Sequence, residues 1–199
     1  YPQVRFPAFM EDAAAAVAWT RQHARAFGGD PERVFVMGHS AGAHMAALLA
    51  LDGRYLAAQG DSAAALAGVI GLSGPYDFAL DSRLLRQVFG GAASVVDTQP
   101  VHFAGRAAPP VLLVHGGDDR IVRPRNAESL ARALEQAGAR AELRVYAGLG
   151  HGDTVAALSP LRAGLAPVLE DIRDFVGGSA RPALLTASCC AAPAGVLPP

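Results

Sequence analysis

The sequence predicts an α/β fold, a doubly wound and mostly parallel sheet with helices on both faces. Segments with apolar residues at helical spacing alternate with short apolar runs along the chain. The runs at residues 34–37 and 110–114 contain no polar alternation, which indicates strands buried on both faces. A chain of 199 residues is long enough for one domain with a single continuous core.

The first half of the chain contributes two helices and two strands to this prediction. Apolar residues recur at helical spacing over residues 10–27, and Gly28 and Gly29 end that pattern. The apolar strand at 34–37 runs through a glycine-rich turn into a helix over 43–51. A second strand is predicted over 68–72, where turn residues follow it.

The second half repeats the same alternation. A short helix is expected over residues 80–89, and a double proline introduces the strand at 110–114. An amphipathic helix around 127–134 follows and is closed by Gly138. The last strand is predicted over 142–146 and the last helix over 165–176.

Composition narrows the class of partner and the cellular setting. A formal net charge of -1 gives no electrostatic reason to expect nucleic acid or an anionic membrane as a partner. No apolar run approaches the roughly 20 residues of a transmembrane helix. The only cysteines, Cys189 and Cys190, are adjacent, which argues against a structural disulfide or a metal site. We therefore expect a cytoplasmic protein, although the sequence begins at Tyr1 and a targeting segment could precede it.

The C-terminal residues differ in composition from the rest. From residue 177 onward Gly, Ala, Pro and Ser dominate, which is typical of disordered chain. We therefore expect a catalytic domain over residues 1–176 and a disordered tail over 177–199.

A candidate nucleophile lies between two glycines on the first strand-to-helix turn. Ser40 occupies the pattern Gly38-x-Ser40-x-Gly42, in which small neighbours let the chain pack closely while the hydroxyl stands clear. The following helix directs its N-terminal amides at the same place, so the Ala41 N–H is the candidate oxyanion donor. The motif alone is common in glycine-rich chains, but here it has the strand before it and the helix after it that the chemistry requires.

A serine nucleophile needs a base, and the base needs an orienting acid. Asp118 and Asp119 directly follow the strand at 110–114, and His151 directly follows the last strand. All lie at carboxyl ends of strands, the edge where open α/β sheets place their sites. Position therefore supports a Ser-Asp-His order but does not choose between the two aspartates.

The sequence resembles the α/β-hydrolase family, in particular carboxylesterases related to hormone-sensitive lipase and to kynurenine formamidase. The resemblance covers residues 1–176 and is carried by residues 29–34 (GDPERV), 38–42 (GHSAG), 72–77 (LSGPYD), 110–122 and 150–151. In the family pattern His-Gly-x-x-Asp-x-x-Val, this chain matches His115, Gly116, Asp119 and Val122. The resemblance thus implies Asp119, rather than Asp118, as the catalytic acid.

The resemblance also implies a His-Gly-Gly-type loop before the nucleophile, which supplies further oxyanion-hole amides. No such loop precedes Ser40, and residues 1–3 look like the end of the strand that should follow it. We therefore expect a sequence truncated at its N-terminus that lacks the first strands of the fold and half of the oxyanion hole. The strand at 34–37 would then keep an unpaired apolar edge, which favours aggregation.

Several other residues have both a functional and a structural interpretation. His39, Pro75 and Tyr76 are candidates for the substrate pocket, whereas His44 and His115 are expected to pack and to brace the Asp119 loop. Asp77 is either a supporting residue or a turn former. A final group could contact an acidic substrate, although a solvated face is the simpler interpretation: Arg120, Arg123 and Arg125.

The predicted function is hydrolysis of small carboxylic esters through a Ser40, Asp119 and His151 triad, with no metal and no organic cofactor. The stretch from residue 74 to residue 105 is expected to overhang the site and shape the pocket. Two alternatives stay open at this stage. One is an arylformamidase, which cleaves an amide with the same triad, and the other is a non-catalytic binding protein with a hydrolase fold.

Overall fold

Four parallel strands form a single sheet in the computed structural model, which describes residues 1–178. Their spatial order is the same as their order along the chain. Each neighbouring pair is parallel, so the prediction of a mostly parallel sheet is confirmed. The strands are β1 (Phe35–His39), β2 (Gly68–Leu72), β3 (Val111–Gly116) and β4 (Ala141–Tyr146).

Seven α-helices accompany the sheet within the described residues. Parallel neighbours need crossover connections, and helices supply them because a helix can return the chain to the starting edge. The helices are α1 (Ala8–His23), α2 (Ala41–Leu51), α3 (Arg54–Ala58), α4 (Arg83–Val88), α5 (Arg125–Gln136), α6 (Asp153–Ala156) and α7 (Val168–Gly178).

The core lies on both faces of the sheet. On one face, Val69 and Leu113 of the central strands pack in the same cluster as residues of α1, α2 and α5. On the other face, Ile70 and Leu112 pack with Phe175 of α7. Alternate residues of one strand point to opposite faces, so strands buried on both sides must be apolar throughout. This two-sided packing agrees with the predicted doubly wound arrangement.

The two outer strands are less covered than the central pair. Every residue of β2 and β3 is buried, whereas β1 and β4 each expose part of their length. Within residues 1–178, β1 pairs with β2 alone, and Met37 of β1 is 49% exposed.

Several predicted bounds need correction. The helix expected over 10–27 ends at His23, and a 3-10 turn (Ala24–Phe27) completes it before Gly28, whose φ is 76°. The strand expected over 34–37 continues to His39. The last helix begins after Pro167 and extends to Gly178, so the domain limit expected at residue 176 falls inside it. Residues 179–199, which include the rest of the expected tail and both cysteines, lie outside the described residues.

The sequence also gave no indication of the short helices α3 and α6, each of five residues or fewer. None of the helices within residues 1–178 has both the length and the apolar composition that crossing a bilayer requires.

Central β3 residues carry much of this packing, which gives a direct test of the core. Leu113 is fully buried, and Leu161 is 94% exposed. Leu113→Ala should lower the free energy of unfolding by about 3 kcal/mol because it removes buried apolar contacts and leaves a cavity. Leu161→Ala, the matched control, should change it by less than about 0.5 kcal/mol. Urea unfolding of both variants measures this, and equal effects would contradict the described packing.

Candidate active site

Ser40 lies at the carboxyl end of β1, on the sharp turn that begins α2. Its φ of 54° and ψ of -120° are unusual for a residue with a side chain, and such strain costs on the order of 1–3 kcal/mol. The Ser40 N–H donates to the Leu72 carbonyl at 2.9 Å, which fixes the turn to the end of β2. The strained turn therefore presents the hydroxyl at the edge where the parallel strands end.

Gly38 permits this turn because the first turn of α2 passes directly over it. A Cβ at Gly38 would overlap the Gly42 carbonyl and lie 2.7 Å from the Ala43 nitrogen. Both obstacles are backbone atoms, which cannot rotate away. A Cβ at Gly42 would meet nothing within 4 Å. The first glycine of the motif is thus a steric requirement of the turn, and the second is not.

His151 links Ser40 to Asp119 through its two ring nitrogens. Its Nε2 lies 2.8 Å from Ser40 Oγ, and its Nδ1 lies 2.8 Å from Asp119 Oδ2. With Nδ1 protonated, the ring donates to the carboxylate and accepts the hydroxyl proton of Ser40 at Nε2. The three residues predicted from the sequence therefore share one line of hydrogen bonds. Asp118 lies on the exposed side of the same loop.

The carboxylate of Asp119 is buried and accepts several hydrogen bonds. Its Oδ1 accepts from the backbone N–H groups of Ile121 and Val122, both at 2.9 Å. Burial acts to raise the pKa of Asp119, but the bonds from His151 and from these amides outweigh it and hold the pKa below its ordinary value. Asp119 is therefore charged at neutral pH and can stabilise a positive charge on His151.

His115 braces the loop that carries Asp119, as expected from the sequence. Its side chain is fully buried, and Nε2 donates to the Val122 carbonyl at 2.9 Å. Burial lowers the pKa of His115 despite that hydrogen bond, so the ring is neutral. Its Nδ1 has no hydrogen-bond partner within residues 1–178.

Three contacts that the sequence did not predict hold the His151 loop. His39 Nε2 donates to the His151 carbonyl at 2.8 Å, and the two rings lie 4.8 Å apart. The Gly150 N–H donates to Asp153 Oδ2 at 2.7 Å. The hydroxyls of Ser73 and Thr154, both buried, are 2.9 Å apart. Asp153 and Thr154, two and three residues after the histidine, are the kind of helix-start signal that could have indicated this turn.

No acceptor for the Ala41 N–H lies among residues 1–178. Ala41 is the first residue of α2, where a backbone N–H has no acceptor within the helix. The residue is exposed, and the positive end of the helix dipole lies at the same place. This position fits the predicted oxyanion donor.

A cavity of about 700 Å³ begins beside Ala41, within the size range of small-molecule sites. Residues from the predicted overhanging stretch form one wall, among them Pro75, Phe78 and Phe89. The wall across from them comes from the loop after Asp119, including Ile121. The apolar side chains that complete the lining include Phe9, Met45, Leu84, Leu85 and Val88.

Two of the three predicted pocket residues do not line this cavity. Pro75 does, but His39 instead holds the His151 carbonyl. Tyr76 is fully buried, and its ring fills the space left beside Gly71 and Gly74, which have no side chains. Its orientation toward the core corrects the prediction that Tyr76 contacts substrate.

Asn126 connects the two loops that form the cavity, and nothing in its sequence context indicated this. Its Oδ1 accepts from the N–H groups of Tyr76 and Asp77 at 3.1 and 3.0 Å, and Nδ2 donates to the Arg123 carbonyl at 3.2 Å. Asp77 itself accepts a 2.6 Å hydrogen bond from Ser129. Both side chains therefore support the loops, as one interpretation of Asp77 predicted.

Comparison with known proteins places this geometry in a family. The family model BD-FAE matches residues 1–134. The probable isoprenylcysteine alpha-carbonyl methylesterase ICME of Oryza sativa subsp. japonica is 31% identical over 88% of this chain and 47% of its own length. Esterase LipQ of Mycobacterium tuberculosis is 30% identical over 69% of this chain and 37% of its own length. The chain thus spans less than half the length of these curated relatives.

Solved structures show the same fold. The propionate-bound esterase Est2 of the planctomycete Thermogutta terrifontis superposes with a TM-score of 0.75 at 25% identity, covering 89% of this chain and 67% of that chain. A truncated carbohydrate esterase from gut microbiota superposes with a TM-score of 0.72 at 20% identity, covering 89% of this chain and 70% of that chain. The resemblance to α/β-hydrolase carboxylesterases is therefore confirmed.

The two glycines of the Ser40 turn should respond differently to the same substitution. Gly38→Ala should destabilise the protein by about 3 kcal/mol because the added methyl meets backbone atoms of α2. Gly42→Ala should leave stability unchanged or raise it by up to about 1 kcal/mol, since alanine favours a helix. Urea unfolding of the pair provides the measurement. A Gly38→Ala protein as stable as Gly42→Ala would show that the turn is looser than described.

Because of His44, the free energy of unfolding should fall in mild acid. Its side chain is buried one turn after Ser40, and its Nε2 donates to the Thr98 carbonyl at 2.7 Å. Burial lowers the pKa of His44 to about 4. Between pH 6.5 and about 4 the unfolded chain binds a proton that the folded protein excludes, so stability falls as pH falls through this window. His44→Gln should reduce this loss by up to about 3 kcal/mol. Identical pH profiles of unfolding for wild type and variant would refute the assignment.

Proposed function

The chain belongs to the BD-FAE family, and from this premise we propose that the protein is a serine carboxylesterase that works through an acyl-enzyme intermediate. The observation that supports the proposal most is the pair of 2.8 Å contacts joining Ser40, His151 and Asp119. The strained backbone at Ser40 supports it as well, because strain of this kind persists mainly where it serves a function.

The proposed reaction proceeds in two steps. His151 Nε2 takes the Ser40 proton as Oγ attacks the ester carbonyl, while the Asp119 carboxylate stabilises the imidazolium. The Ala41 N–H donates to the oxyanion. His151 then protonates the leaving alcohol, and a water molecule activated by the same ring hydrolyses the acyl-Ser40 ester. All of these steps use side chains and backbone of this chain.

The relatives favour ester over amide cleavage. The curated ones named above carry esterase names, and esterase 2 of T. terrifontis has been solved phosphoramylated by tabun, an organophosphorus compound. We extend the esterase chemistry to this chain. The cavity beside Ala41 also extends the expected range from small esters to esters with a bulky apolar group, because about 700 Å³ of mostly apolar space is available.

Removal of the nucleophile tests the proposal directly. A fluorophosphonate probe should label the protein covalently. Ser40→Ala should abolish both labelling and p-nitrophenyl acetate hydrolysis, since within residues 1–178 the Ser40 hydroxyl is the one that hydrogen-bonds to His151. Ser62→Ala, an exposed serine elsewhere, should retain both. Intact-mass spectrometry and initial rates measure this. Absence of labelling in the folded wild-type protein would favour the binding-protein alternative, and faster turnover of N-formylkynurenine would favour an arylformamidase.

The two neighbouring aspartates allow a matched test of the acid. Asp119→Asn should reduce kcat by about 10⁴-fold because a neutral amide no longer selects the His151 tautomer or stabilises its charge. Asp118→Asn removes the same charge one residue away and should change kcat by less than about threefold, as expected for an exposed group. Equal losses in both variants would argue against the proposed role of Asp119.

A further inference from the structure

Three arginines between Asp119 and the first turn of α5 line the cavity that begins beside Ala41. They are Arg120, Arg123 and Arg125, and all three are exposed. None of their guanidinium groups forms an ion pair or donates a side-chain hydrogen bond within residues 1–178. Elsewhere in the described residues, arginines such as Arg21, Arg54 and Arg144 are paired with carboxylates. The three cations beside the cavity are therefore available to a ligand.

The residues that line the cavity carry more positive than negative charge. Asp81 is the one carboxylate among its lining residues in the described part of the chain. Asp118, Asp119 and Glu128 share an outer groove with the same arginines, but none of these carboxylates lines the cavity. Arg125 is also the first residue of α5, where the helix dipole adds positive potential. The cavity is therefore apolar in its walls and positive along one side.

This combination fits a ligand with an apolar portion and an anionic group. An arginine fork matches the two oxygens of a carboxylate, and an exposed arginine can bind one without the cost of burying a charge. We propose that the site prefers esters that carry a carboxylate on their apolar chain, with Arg120, Arg123 and Arg125 binding that carboxylate. The inference rests on the proposed function for the reaction, but the binding preference does not require turnover.

Matched substrates separate charge from size. The mono-p-nitrophenyl ester of suberic acid has a free carboxylate, and the p-nitrophenyl ester of suberic acid monoamide has the same length without the charge. At low ionic strength the wild-type protein should show a kcat/KM about tenfold higher for the anionic ester, since three exposed charge contacts act together. The preference should disappear in 1 M NaCl, where the Debye length falls to about 3 Å.

Variants then assign the preference to residues. The triple variant Arg120→Gln, Arg123→Gln and Arg125→Gln should bring the anionic-to-neutral ratio of kcat/KM close to one. Arg132→Gln removes one charge from an exposed position of α5 that does not line the cavity, and it should keep the ratio. The three single variants, each with a partial loss, provide the same test if the triple variant is unstable.

A binding measurement distinguishes failure of this inference from failure of the proposed function. Calorimetric titration of Ser40→Ala with the two intact esters should give a Kd about tenfold lower for the anionic one. If Ser40→Ala binds the anionic ester more tightly while the wild-type protein hydrolyses neither ester, the inference would be supported and the esterase proposal contradicted. Equal Kd values, or a ratio that the triple variant leaves unchanged, would overturn the inference whether or not the protein is an esterase.

Discussion

The hydrogen-bonded line from Asp119 through His151 to Ser40 depends on one geometric constraint, the common direction of the strands. Because β1, β3 and β4 are parallel, the residues that follow them emerge at one edge of the sheet. The 2.8 Å contacts at both nitrogens of His151 require all three loops to be fixed. Backbone amides fix the Asp119 loop, the His39 ring fixes the His151 carbonyl, and the Leu72 carbonyl fixes the Ser40 turn.

The site divides into a part fixed by the backbone and a part that varies with the loops. The fixed part is the strained turn at Ser40 and the buried carboxylate at Asp119, which would serve any acyl-transfer reaction. The variable part is the cavity, whose walls come from the stretch after β2 and the loop after β3. Asn126 joins these two walls by hydrogen bonds to the Tyr76 N–H and the Arg123 carbonyl, so the two loops hold each other in place. We propose that Asp119 supports the reaction and that the arginines directly after it select the substrate.

Local patterns were sufficient for the strands and for the Ser40 turn, because a buried parallel strand must be apolar throughout and a tight turn needs glycine at position 38. They could not choose between Asp118 and Asp119, since both follow β3, and the choice came from the family pattern. Contacts such as His39 with His151 and Ser73 with Thr154 join residues 112 and 81 positions apart. No local signal encodes such pairs, and for the same reason Tyr76 was assigned to the pocket although it fills a gap in the core.

The central claim is that Asp119 holds His151 in the tautomer with its proton on Nδ1, which leaves Nε2 to accept the Ser40 proton. Nitrogen NMR of the imidazole side chains measures this tautomer without reference to any substrate. The account predicts a protonated Nδ1 with a strongly downfield proton and an unprotonated Nε2 for His151 near neutral pH. A proton found on Nε2, with Nδ1 unprotonated, would contradict it, because the ring could then neither donate to Asp119 nor activate Ser40.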